Sequence, residues 1–77
     1  MFFNKLGQKR TKFGYWLDSQ KDINQSRVKE ASGIGNGTIY RLCNDREFTP
    51  KYSTIAKVNK GLKKLKKDVR VEDFLNM

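Results

Sequence analysis

Two helical patterns meet across only four residues in the middle of this chain, and that junction constrains the fold more than any other feature. From Gln25 to Ala31 the chain reads as a short helix ending at Gly33, with Asn24 standing as its N-cap and Ile23 before it as a staple residue. From about Asn36 to Asn44, Ile39 and Leu42 are spaced as on one face of a helix. The dipeptide Asn36-Gly37 followed by Thr38, Ile39 and Tyr40 would also suit a β-hairpin. The upstream arm, Lys29 to Ser32, has no period-2 alternation to pair with it, so a helix is the expected element. Two short helices joined through Ser32-Gly33-Ile34-Gly35 must cross tightly, because four residues leave no room for a wide loop. That is helix-turn-helix geometry.

Helical spacing continues on both sides. Phe13, Trp16 and Leu17 fall at i, i+3 and i+4 within Lys12 to Gln20, which predicts a first helix with Trp16 in the core. After the loop Asp45 to Thr49, Pro50 suits a helix start. Ile55, Val58, Leu62 and Leu65 then line a fourth helix whose other face is lysine. Val71, Phe74 and Leu75 predict a short terminal helix or turn closing the core. The expected fold is all-α, a compact bundle of four to five short helices. With 77 residues, no repeat and no linker, the chain makes one domain, and such a length buries only about 60% of its unfolded surface.

Charge narrows the function. The net charge is +9 with no histidine, and it is unevenly placed: Lys51 to Lys67 holds seven lysines and no acid. Such a surface fits nucleic acid first, with an anionic membrane surface, an acidic protein partner or a merely solubilising lysine face as alternatives. One cysteine cannot close an intramolecular bridge, and without histidine there is no Cys/His zinc set and no imidazole base. Cys43, beside Leu42, reads as a small apolar residue of the core. The glycines at 33, 35 and 37 match neither phosphate-binding glycine pattern. The apolar start Met1-Phe2-Phe3 is too short for a signal-peptide core or a membrane span, so a reduced, cytoplasmic location is expected. No paired carboxylates stand at a convincing spacing, and an enzyme is not expected.

Gln25, Val28, Gly33, Ile34, Ile39 and Leu42 resemble the glutamine, the turn glycine and the spaced apolar positions of the Cro/phage-repressor (Xre-like) DNA-binding domains. Phe13-Gly14 with Trp16-Leu17 is similar to that family's first helix, and the run from Pro50 through Leu62 to Phe74-Leu75 to its fourth and fifth. The resemblance covers residues 11–77 and leaves 1–10 as an N-terminal arm. At one position the chain departs from the family: Lys29 stands where a small residue is usual, four after the glutamine, and its stem is expected to lie along apolar surface with the ammonium in solvent.

The resemblance implies a lambda-repressor-like helix-turn-helix and a set of roles. Gln25 would bond phosphate at a helix N-terminus, and Asn36, Tyr40 and Arg41 would face base edges, with Asn suited to adenine and Arg to guanine. Gly35 and Gly37 would let backbone amides approach the sugar-phosphate chain, and Thr38 and Asn44 would touch it. For the side chains the plainer reading is a solvated helix surface, and for the glycines a loose turn. The implied activity is sequence-specific recognition of double-stranded DNA by a homodimeric, nucleoid-associated transcriptional regulator, a small repressor of the phage or mobile-element kind. It would use a palindromic operator and no cofactor or metal. The dimer would form through Phe74, Leu75 and Met77, or through Met1-Phe2-Phe3. The alternative is a protein-interaction module of the same fold that binds an acidic partner or another regulator.

Overall fold

Each helix starts and stops where a particular residue satisfies or releases its backbone. The structure, a computed structural model, describes residues 10–75. Helix α1 spans Lys12–Asp18, and its N-cap Thr11 accepts from the Gly14 N–H at 2.9 Å. Helix α2 spans Gln25–Ser32, capped by Asn24, whose carboxamide oxygen accepts from the Arg27 N–H at 3.0 Å. It stops at Gly33, which takes φ 73° and donates to the Lys29 carbonyl, a left-handed cap that costs glycine little. Helix α3 spans Asn36–Asn44, so the expected third helix forms and no strand occurs among the described residues. Ser32 belongs to α2, which shortens the connection to Gly33-Ile34-Gly35.

Helix α4 spans Tyr52–Lys64 and begins two residues later than the sequence implied, with Lys51 at the N-cap and Pro50 buried before it. Its end is a Schellman turn: Lys67 N–H donates to Leu62 O and Lys66 N–H to Lys63 O, each at 2.9 Å, with Lys66 at φ 64° where glycine is usual. Lys67 then reaches back to Asp22 at 2.9 Å and Gln20 at 3.0 Å, and that bond holds the Asp22 carboxyl below the usual carboxylate range. The terminal turn is a single 3-10 turn, Val71–Phe74, pinned to α4 through Asn59, which accepts from Val71 N–H at 2.8 Å.

One core joins these elements: Phe13, Leu17, Ile23, Val28, Ile39, Leu42, Cys43, Val58, Leu62 and Val71 are buried. Trp16, placed in the core from its spacing, is only half-buried, because it closes the edge by packing against Phe13 and Phe74 at 5.8 and 5.4 Å between ring centroids. Two close approaches set the helix angles. A Cβ on Gly61 of α4 would fall on the Ser32 backbone of α2, and one on Gly14 of α1 would fall on the Cys43 carbonyl oxygen of α3. The tight α2 contact is therefore at Ser32 against α4, and Lys29 is half-buried. Thr11 ties α1 to α3: its N–H donates to Cys43 O at 2.9 Å and its hydroxyl to Leu42 O at 2.6 Å, satisfying two carbonyls at the α3 C-terminus.

Candidate nucleic-acid interface

The buried residues of α3, Ile39, Leu42 and Cys43, occupy one side of the helix. At 100° per residue that turns Gly37, Tyr40 and Arg41 to the other side, where all three are exposed and Tyr40 reaches 60%. Asn36, the first residue of α3, is exposed, and Thr38 is half-buried at the margin. The α3 N-terminus carries no side-chain cap, since Gly35 has none to offer. Neither Gly35 nor Gly37 has a left-handed backbone, and a Cβ on either would meet nothing within 4 Å. Among the described residues, the fold itself demands neither glycine.

Gln25 and Asn44 are brought together by a residue that the sequence assigned to the arm. Arg10 donates from Nη1 to Asn44 Oδ1 at 2.9 Å, and from Nη2 to Gln25 Oε1 at 3.2 Å and Asp18 Oδ1 at 3.0 Å, while its Nε lies 2.8 Å from Asp18 Oδ2. One guanidinium thus joins the end of α1, the start of α2 and the end of α3, and Arg10 belongs to the folded domain. The other N-terminal cations, Lys5 and Lys9, lie outside the described residues, as do Met1, Phe2, Phe3 and Met77. With its oxygen engaged, Gln25 keeps its carboxamide N–H groups as the outward donors. Asn44 is more fully committed, since its Nδ2 also donates to the Tyr40 carbonyl at 3.0 Å.

Arg41 does not extend freely from α3 as its register implied. Its Nε lies 3.5 Å from Asp45 Oδ2 and its Cζ 4.7 Å from the centroid of Phe48. Asp45, at i+4 from Arg41, is a pair that helical spacing alone could have suggested, whereas Phe48 stands in the connection after α3, where no periodicity applies.

In the run from Lys51 to Lys67, Lys67 is the one lysine with a carboxylate within 4 Å among the described residues. Lys57, Lys60, Lys63 and Lys64 stand exposed on α4 opposite buried Val58 and Leu62. Cys43 is buried, and burial pushes its thiol up to about 11, so it is inert at neutral pH. Among the described residues no helix is long and apolar enough to cross a membrane, and no cluster of His, Cys, Asp and Glu could hold a metal ion.

Comparison of the chain with protein-family models, with curated proteins and with solved structures returned no match.

Proposed function

We propose that this chain is a sequence-specific double-stranded DNA-binding regulator in which α2, the Gly33-Ile34-Gly35 turn and α3 act as a helix-turn-helix. The observation that carries the reading is the outer face of α3. A nine-residue helix buries one side in the core and turns the other, with Gly37, Tyr40 and Arg41, to the surface of a chain whose α4 lysines have no carboxylate within 4 Å among the described residues. A helix of this width fits the major groove of B-DNA, which is about 12 Å across. In this reading Asn36, Tyr40 and Arg41 meet base edges, while Gln25 and the α3 N-terminal amides meet phosphate. Arg10 is a positioning residue, because it holds Gln25 against the C-terminal end of α3. The lysines add sequence-independent attraction, which lysine suits as a point charge without a fixed fork of donors.

A second copy completes the regulator. Phe74 and Leu75 border an open groove of about 240 Å³ with Leu42 and Phe48, its rim also carrying Lys12, Asp45 and Arg46, and a two-fold partner would cover this mixed edge. Two copies related in this way would read half-sites about 10 bp apart. Selection of bound sequences from a random duplex pool at two salt concentrations tests the whole reading. Recovery of an imperfect palindrome is expected. Recovery of no motif, with binding to an acidic protein retained, would favour the interaction-module alternative.

A further inference from the structure

Arg41 is held by two residues of the turn that follows α3, Asp45 and Phe48. Asp45 is itself locked: its Oδ1 accepts from the Glu47 N–H at 3.0 Å, and its carbonyl accepts from the Phe48 N–H at 3.1 Å. The turn after α3 therefore fixes a carboxylate and an aromatic ring relative to the helix end. The carboxylate stands 3.5 Å from Arg41 Nε, and the ring lies under Cζ at 4.7 Å. Phe48 is anchored in turn, half-buried against the core.

This arrangement occupies one edge and one face of the guanidinium and leaves the rest open. With Nε toward Asp45, the two terminal nitrogens carry N–H donors that find no acceptor among the described residues, on a side chain that is 58% exposed. Two parallel donors in one plane are what guanine O6 and N7 accept in the major groove. A pair this exposed adds little to folding stability, so its consequence is orientation. We propose that Asp45 and Phe48 are positioning residues that pre-orient Arg41 to read a guanine, which makes the α3–α4 turn part of the specificity apparatus. The inference rests on α3 being the base-reading helix. Its physical basis is that a long side chain immobilised before binding loses less entropy on contact, an effect of roughly 2- to 10-fold for one such side chain.

The test is competition binding of the full chain to its selected duplex and to a duplex with the guanine position replaced. Arg41→Ala should abolish most of the preference at that one position. Phe48→Leu and Asp45→Asn should each lower the same preference by roughly 2- to 10-fold, with salt slope little changed and, for Asp45→Asn, melting temperature little changed as well. Asp45→Asn should also bind random duplex more tightly, since it removes a negative charge near phosphate. Phe48→Tyr keeps the ring and should keep the preference. In an Arg41→Ala background neither substitution should have a further effect on base choice. If Phe48→Leu destabilises the domain, Asp45→Asn, on an exposed pair, still gives the answer. The proposal is overturned if Arg41→Ala relaxes the preference while Asp45→Asn and Phe48→Leu leave it intact, or if Arg41→Ala leaves it intact. In both cases duplex binding persists and the wider reading stands. Loss of that reading looks different: the unaltered chain would select no duplex at all.

Discussion

Cys43 is the residue whose environment makes the sharpest chemical statement. Its side chain is buried between α1 and α3, and desolvation raises the thiol to about 11, with nearby Arg10 opposing that shift and Asp18 adding to it. In the unfolded chain a thiol ionises near 8.5. The folded state therefore gains nothing from this difference below the unfolded value, and it loses stability as pH rises from about 9 to 11, by at most about 3 kcal/mol. Urea midpoints measured from pH 7 to 11 should fall more for the unaltered protein than for Cys43→Ala. Parallel curves would mean that the thiol is not shielded. The burial of Cys43 was legible from its place beside Leu42 on a helical stripe. Arg10 was not, because its partners Gln25 and Asn44 lie 15 and 34 residues away and no local pattern announces them.

At the scale of elements, the five glycines of the described residues separate into those that the fold requires and those that it leaves free. Gly61 is the first kind. Alanine there would force α4 off Ser32, and a net loss of about 1 to 3 kcal/mol is expected despite alanine's better helix propensity. Gly37 is the second kind, exposed within the first turn of α3 with open space where a Cβ would stand. Gly37→Ala should stabilise the fold by up to about 1 kcal/mol and, if α3 enters the groove as proposed, weaken duplex binding, since a methyl would then hold the α3 amides off the sugar-phosphate chain. Denaturation midpoints and duplex affinity measured on the same samples check both signs. A Gly37→Ala variant that binds as well as the original would leave the loose-turn reading of that glycine. Helix existence was legible at this scale from apolar spacing and from Asn24 and Gly33. The start of α4 was not, because Pro50 suits several positions before a helix and its burial against neighbours decided the outcome.

The whole molecule carries its charge as a field rather than as bonds. A net charge of +9, with most lysines of α4 unpaired among the described residues, is a source of long-range attraction to a polyanion that mobile ions screen. If 6 to 10 phosphates are neutralised by a bound dimer, affinity for duplex should fall by about 10³ to 10⁵ between 50 and 200 mM salt. Fluorescence anisotropy at a series of salt concentrations measures the slope. A flat response would remove DNA as the partner and leave the lysine face as a solvated surface.

Local chemistry by itself determined the all-α class, the order of the helices, the sharp turn at Gly33 and the excess of positive charge. Those properties depend on residues within a few positions of one another, or on simple counts. Tertiary structure alone decided that Arg10 fastens three helix ends together, that Thr11 caps α1 while satisfying α3 carbonyls, and that Gly14 and Gly61 admit the close approaches. It also decided that Arg41 rests on Phe48 beside Asp45. The physical reason is common to all of these. Apart from the Thr11 cap on Gly14 and the Arg41–Asp45 pair, which are local, and the Phe48 contact in the turn after α3, each joins groups many residues apart. Only the packing of α1, α2, α3 and α4 around Val28, Leu42, Val58 and Leu62 brings their atoms within reach.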